Sequence, residues 1–252
     1  VGNVDASPLI AGLAELNIQP GGEQDFLVVV TDDYLRDELA EINAHALANS
    51  RPWMVVKPVG MVLWLGPIFR PHETGCWECL AQRLRANRQV ERYITSQNDI
   101  TDSVILSRAA TPDSTQAGIN LAVTEIARIF AQPKTRHLDG KVITLDLLTL
   151  ESTEHVLVRR PQCPACGDTA QASAPPGPLT LQNRPKRFTA DGGHWSRTPY
   201  ETFEQYQHLI SPITGVVSWF KSVKRTENGL THNYTTGHSF PITVNRVQDL
   251  HT

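Results

Sequence analysis

The chain has 252 residues, of which 40% are hydrophobic and 19% are charged. This length and composition are typical of a soluble globular protein with one large domain or two small ones. The formal net charge of -3 argues against nucleic acid or an anionic membrane as the main partner.

The composition also bears on the cellular compartment. The most apolar stretch, residues 53–69, is interrupted by Lys57, Pro58 and Pro67, so it predicts two buried strands rather than a membrane span. The chain opens without the basic start and long apolar run of a signal peptide. Four cysteines in a chain of this length favour metal binding in a reducing compartment over a disulfide framework. We therefore predict a cytoplasmic protein.

Residues 1–18 predict the end of a strand, a turn at Gly2-Asn3 and a helix, which is how a dinucleotide-binding unit begins. The glycine fingerprint G-x-G-x-x-G is not intact, because Val4 and Ser7 stand where it requires glycine. Side chains there would obstruct the close backbone approach of a phosphate. An ordinary βα turn is favoured, and no residue of the chain is predicted to bind a nucleotide.

The next segments predict a parallel crossover unit. Residues 25–35 form a buried strand that runs into an acidic turn, where Asp32 or Asp33 can cap a helix. Residues 51–60 and 61–69 then predict two further buried strands. The helix predicted between the first strand and the strand of residues 51–60 carries four apolar residues on one face, namely Leu35, Leu39, Ile42 and Ala46.

A first cysteine pair, Cys76 and Cys79, opens the next predicted helix. That helix is basic, which indicates either a solvated face or a contact with a peptide or another domain. After a connection over residues 95–112, Asp113 and Gln116 predict the cap of a second helix. The basic residues of the helix that begins at the first cysteine pair are Arg83, Arg85, Arg88 and Arg92.

Two alternating segments, residues 141–150 and 152–160, predict an antiparallel strand pair. The second cysteine pair, Cys163 and Cys166, follows and ends at Gly167, which permits a sharp turn.

After Gly167 the chain becomes small, polar and rich in proline, which indicates a linker. A short helix is predicted over residues 198–210. A β-hairpin is predicted beyond it, turning at residues 227–229, where Asn-Gly is a strong hairpin signal.

Two CxxC pairs far apart in sequence are typical of a tetrathiolate zinc site. A redox CxxC would use one exposed, acidified thiol and would leave the second pair unexplained. A zinc-ribbon module for nucleic acid would carry a basic surface, which the net charge argues against. We therefore predict one closed structural zinc site that is held by Cys76, Cys79, Cys163 and Cys166.

The order of these segments resembles the ThiF/MoeB-like fold of the ubiquitin-activating type. The segments that carry the resemblance are DFLVVVTDDYL, PWMVVKPVG, ETGCWECL, STQAGINLAVTEIARIF, LDGKVITLDLLTLE and RRPQCPACG. The resemblance covers residues 1–167 and implies an α/β, Rossmann-type sheet with a zinc site of two CxxC pairs. Here the nucleotide site is degenerate, since the glycine turn is lost and no section that would bind phosphate follows it.

Longer motifs resemble the cyanobactin heterocyclases of the TruD, LynD and PatD kind, which are YcaO-type cyclodehydratases. The motifs that carry this resemblance include ETGCWECLAQRLRANRQVE, RRPQCPACGD, RPKRFTADGGH and YQHLISPITGVVS. The resemblance implies a ThiF/MoeB-like zinc-binding scaffold domain over residues 1–167, a linker over 168–198, and the beginning of a truncated YcaO domain over 199–252. It also implies that the ATP and Mg²⁺ of the reaction bind in the part of the YcaO domain that this sequence lacks.

The function implied is the scaffold and peptide-presenting portion of an enzyme that makes thiazolines or oxazolines from Cys, Ser or Thr of a ribosomal precursor peptide. The expected partners are the leader of that peptide and a second copy of the chain, without nucleic acid or membrane. The alternative is a ThiF/MoeB-like adenylyltransferase that activates a carboxyl terminus.

No catalytic residue is predicted from spacing. His194 and His238 lie in motifs that match the heterocyclases and are candidates for a role beyond structure. Four other histidines sit in predicted helices or strands and are interpreted as surface or packed residues, namely His45, His137, His155 and His208.

Overall fold

A computed structural model of the chain describes residues 1–19, 21, 26–88, 90–91, 93–94, 109–168, 177–178, 180–183, 197, 199–223, 231–237 and 244–249. The predicted linker and hairpin turn fall largely or wholly outside these residues, and so do His194 and His238.

A five-stranded sheet organises the first part of the chain. Its strands are β1 (Leu27–Val30), β2 (Trp53–Lys57), β3 (Val62–Phe69), β4 (Lys141–Asp146) and β5 (Ser152–Val156), which lie side by side in that order. β1 and β2 are parallel, as the predicted crossover unit requires, and the remaining neighbours are antiparallel. The predicted pairing of β4 with β5 is therefore confirmed.

Helices cover both faces of this sheet. They are α1 (Ser7–Glu15), α2 (Glu38–Ala48), α3 (Trp77–Asn87) and α4 (Pro112–Ala131). Together with the parallel pair they make the fold α/β, as the sequence predicts.

Strand β2 contributes side chains to two separate hydrophobic cores, one on each face of the sheet. All five of its residues are buried, and successive side chains of a strand point to opposite faces. Trp53 and Val55 accordingly enter a core with α2 and α3, whereas Met54 and Val56 enter a core with α1 and α4. A continuous apolar run is what burial on both faces demands.

The predicted helix caps are wrong at two places. Helix α2 begins at Glu38, and Asp33 instead accepts the backbone N–H of Leu35 at 2.8 Å. Helix α4 is capped by Thr111, whose hydroxyl accepts the N–H of Ser114 at 3.0 Å in a reciprocal capping box. Asp, Ser and Thr side chains favour both helix N-caps and turns. The residue type alone therefore does not tell whether such a side chain caps a helix or closes a turn.

A second, smaller sheet follows the cysteine pairs. The chain forms α5 (Pro199–Tyr206), a 3-10 turn at Gln207–Leu209, and the strands β6 (Val217–Val223), β7 (Thr231–Gly237) and β8 (Val244–Asp249). These strands are antiparallel and lie in the order β6-β7-β8. The predicted short helix and hairpin pairing are confirmed.

Candidate metal centre

The first cysteine pair lies at the start of α3. Cys76 is the N-cap residue with an extended backbone, and Cys79 occupies the first turn, where its N–H bonds the carbonyl of Cys76 at 3.0 Å. This local geometry places both sulfurs at the same end of the helix. The prediction that the first pair opens a helix is confirmed.

The second pair lies on a tight turn beyond β5. Gly167 donates its N–H to the carbonyl of Cys163 at 2.8 Å and closes the turn. A Cβ atom on Gly167 would lie 2.6 Å from the backbone oxygen of Cys163, which no real side chain tolerates. The glycine is needed for this close approach, which brings Cys166 back beside Cys163.

The structure brings the four sulfurs together, all within 4.8 Å of one another. Cys76 Sγ lies 3.6 Å from Cys163 Sγ, and Cys79 Sγ lies 3.5 Å from Cys166 Sγ. Four thiolates about 2.3 Å from a tetrahedral ion would be separated by about 3.8 Å, whereas a disulfide bond measures about 2.05 Å. The spacing fits one four-coordinate metal ion, and the cluster could hold one.

The site is closed. The four cysteines are at most 9% exposed and belong to the core that α2 and α3 cover. Trp77, between the first two ligands, is fixed by bonds from its backbone N–H to Asn43 Oδ1 at 3.0 Å and from its indole N–H to the carbonyl of Tyr34 at 2.8 Å. No other Cys, His, Asp or Glu among the described residues joins the cluster. A closed set of four protein ligands is typical of structural sites.

Positive groups border the sulfurs. The backbone N–H of Arg160 lies 3.4 Å from Cys79 Sγ, and Arg83 follows Cys79 by one helical turn. Arg159 donates to the carbonyls of His72 and Cys166 and so ties the second turn to the loop before α3. A divalent ion with four thiolates carries a net charge of about -2, which such groups offset.

Without a metal, the sulfurs titrate together. Hydrogen bonding with Cys166 raises the pKa of Cys79, and hydrogen bonds with Cys76 and Cys79 lower the pKa of Cys166. The cluster therefore retains protons that a metal ion must displace, so metal binding weakens as the pH falls.

The basic helix is not one solvated face. Arg85 is half-exposed and pairs with Glu78 at 3.3 Å, but Arg88 points toward β1 and contacts both carboxylate oxygens of Asp33 at 3.0 and 3.1 Å. Arg92 lies outside the described residues.

A packed histidine on β5 has polar partners that the sequence does not reveal. His155, interpreted from sequence as a surface or packed residue, is buried and bonds to Thr144 and Ser211. The strand alternation of β5 indicates that it points inward, but nothing in the sequence identifies Ser211 as its partner.

None of the described helices is long and apolar enough to cross a membrane.

Comparisons with known proteins place the chain among heterocyclases. No protein-family model matches the chain, and no curated protein matches it. Among solved structures, a heterocyclase in complex with substrate and cofactor is 39% identical with a TM-score of 0.79, over 95% of this chain and 33% of that one. The heterocyclase TruD is 45% identical with a TM-score of 0.70, over 84% of this chain and 31% of that one. The chain therefore belongs to the heterocyclase family and spans about a third of the length of these two relatives.

Proposed function

We propose that this chain is the scaffold and peptide-presenting portion of an ATP-dependent cyclodehydratase of the cyanobactin type. The observation that carries the proposal is the identity of 39% and 45% to two heterocyclases over nearly the whole chain. One of these relatives was solved with substrate and cofactor. The proposed partners are a ribosomal precursor peptide, through its leader, and a second copy of the chain.

The proposed domains are a zinc-binding scaffold over residues 1–167, a linker over 168–198, and the beginning of a YcaO domain over 199–252. The five-stranded sheet and its last cysteine end before residue 168, and a separate sheet begins at β6. This separation supports the division.

The proposed reaction closes a ring in the substrate peptide. The side chain of a Cys, Ser or Thr attacks the carbonyl carbon of the preceding amide. The former carbonyl oxygen is then lost together with the side-chain proton and the amide proton, formally as water, and the C=N bond of a thiazoline or oxazoline forms. ATP would supply activation of that oxygen for departure, with Mg²⁺, in the remainder of the YcaO domain. The residues described here would hold the peptide and the reacting domain in place.

A structural feature argues against the alternative of an adenylyltransferase. Ligands of parallel sheets bind beyond the carboxyl ends of the strands, and β1 ends there at the turn that carries Asp32. The Asp32 carboxylate accepts the backbone N–H of Asn3 at 3.2 Å and binds the Arg36 guanidinium at 2.5 and 2.7 Å. An internal carboxylate thus takes the N–H that a phosphate would require.

The same contacts keep Asp32 ionised. The hydrogen bond from Arg36 lowers its pKa to about 2. At neutral pH the ionised Asp32 therefore holds both the Asn3 N–H and the Arg36 guanidinium, two groups that could otherwise bind a phosphate. We therefore expect isothermal titration calorimetry of the 252-residue chain with ATP and Mg²⁺ to show no binding. A known ATP-binding protein in the same buffer is the positive control, and a micromolar dissociation constant for this chain would revive the adenylyltransferase.

The metal of the cysteine cluster is proposed to be zinc. Thiolate sulfurs in a closed tetrahedral set are the ligands of structural zinc sites. Elemental analysis of purified protein should give one zinc ion per chain. Protein without metal, or Cys76 that reacts readily with a thiol reagent in the native state, would contradict the assignment.

A further inference from the structure

The residues Ser211–Gly215, here called the junction turn, connect the 3-10 turn to β6. Ser211 and Thr214 are at most 3% exposed, although the turn belongs to neither sheet. Gly215 donates its N–H to the carbonyl of Ser211 at 3.1 Å, and a Cβ atom on Gly215 would lie 2.6 Å from that oxygen. The turn is therefore tight and lies against other parts of the chain.

One contact comes from β5. His155, which is 4% exposed, places Nδ1 2.8 Å from Ser211 Oγ and Nε2 3.0 Å from Thr144 Oγ1. Ser211 Oγ already accepts the backbone N–H groups of Ile213 and Thr214 at 3.1 and 3.0 Å. Its single hydroxyl proton is thus free to point at His155 Nδ1, which accepts it.

This arrangement assigns the tautomer. Because Nδ1 accepts from Ser211, the ring proton is on Nε2 and is donated to Thr144 Oγ1. Burial lowers the pKa of His155 to about 4, so the ring is neutral at neutral pH and keeps this pattern. The buried hydrogen bonds run in one direction from the junction turn through His155 into β4.

A second contact comes from α3. The amide nitrogen of Asn87, the last residue of α3, donates to the carbonyls of Ile213 at 3.3 Å and Gly215 at 3.4 Å. The other end of α3 carries the first cysteine pair. An 11-residue helix is about 16 Å long, so α3 spans the distance from the metal centre to the junction turn.

We propose that His155 is a positioning residue that, together with Asn87, fixes the junction turn and thereby sets where the second sheet begins relative to the first. This deepens the proposed function, on which it rests, by naming the contacts through which a scaffold would hold the reacting domain. Through α3, the metal centre and the junction turn share one rigid element.

The test is hydrogen–deuterium exchange of the 252-residue chain, read at peptides that cover residues 211–217. His155→Asn places an amide where Nδ1 lies and retains a partner for Ser211, whereas His155→Gln reaches toward Thr144 and loses Ser211. We expect His155→Gln to raise exchange at these peptides at least about tenfold, a shift of about 1.4 kcal/mol in local opening. His155→Asn should stay near the wild type.

Two further variants separate positioning from a general loss of stability. Thr153→Ala changes an exposed side chain of the same strand and should leave exchange unchanged. Asn87→Ala should raise exchange at residues 213–215 and leave β2 unaffected. Unchanged exchange at the junction turn in His155→Gln, or an equal rise in His155→Asn and across β2, would overturn the proposal.

These measurements need neither ATP nor substrate. A junction turn that loosens as expected in a chain that binds ATP would reject the proposed function and leave the positioning contact in place. If exchange at the junction turn does not change in His155→Gln and the chain does not bind ATP, only the positioning contact is rejected.

Discussion

Replacing Cys163 by serine should abolish metal binding by the cysteine cluster and unfold the five-stranded sheet with its helices. Cys163 is fully buried in the same core as Trp53 and Leu80. A serine is a poor ligand for zinc, and without the ion the three remaining cysteines no longer tie α3 to the turn beyond β5. Structural metal binding contributes directly to the free energy of folding, so we expect a loss of about 4 kcal/mol or more.

The matched control is Gln162→Ser, which changes an exposed neighbour in the same turn. It should keep its metal and unfold at the same denaturant concentration as the wild type. Metal content by elemental analysis and chemical unfolding followed by circular dichroism measure the two effects. A Cys163→Ser variant that unfolds at the wild-type midpoint while lacking metal would show that the cluster is not structural.

The sequence predicted the cluster well because ligand spacing is a local property. A CxxC pair presents two sulfurs whether or not the rest of the fold is known, and Gly167 indicates the turn that returns Cys166 to Cys163. The strands of the large sheet could also be predicted from the sequence, because a strand that is buried on both faces, such as β2, is a continuous apolar run.

Contacts between distant segments could not be read in this way. Asp33 and Arg88 are 55 positions apart, and His155 and Ser211 are 56 positions apart. Aspartate after a strand and before a helix is a common cap, so the local pattern favoured that interpretation. Arg88 can pair with Asp33 only because α3 ends beside the turn after β1, and only the folded structure defines where that helix ends.

Lys57 is a buried charged residue whose hydrogen-bond partners could not be predicted from the sequence. Lys57 interrupts the apolar stretch of residues 53–69 as a charged residue, yet it is only 5% exposed. Its ammonium group donates to the carbonyls of Val59 at 3.1 Å and Val62 at 2.8 Å, and it lies 5.2 Å from the centre of the Trp64 ring. The hairpin between β2 and β3 supplies these acceptors, and its backbone geometry is not encoded in the residue pattern.

Replacing Arg88 by methionine should destabilise the protein by about 3 kcal/mol, because it removes the guanidinium from a buried ion pair. The Asp33 side chain is 1% exposed, and Arg88 contacts both of its oxygens at the end of α3. Losing one partner leaves a carboxylate in a poorly solvated position, which costs more than the pair itself contributes. Urea unfolding at neutral pH measures the change.

The matched control is Arg85→Met on the same helix. Arg85 is 49% exposed and pairs with Glu78 at 3.3 Å, and exposed pairs contribute about 1 kcal/mol or less. Adding Asp33→Asn to Arg88→Met removes the buried charge while an amide oxygen can still accept from Leu35. The double variant should therefore be more stable than Arg88→Met alone. Equal losses for Arg88→Met and Arg85→Met would show that burial of Asp33 does not strengthen its pairing with Arg88.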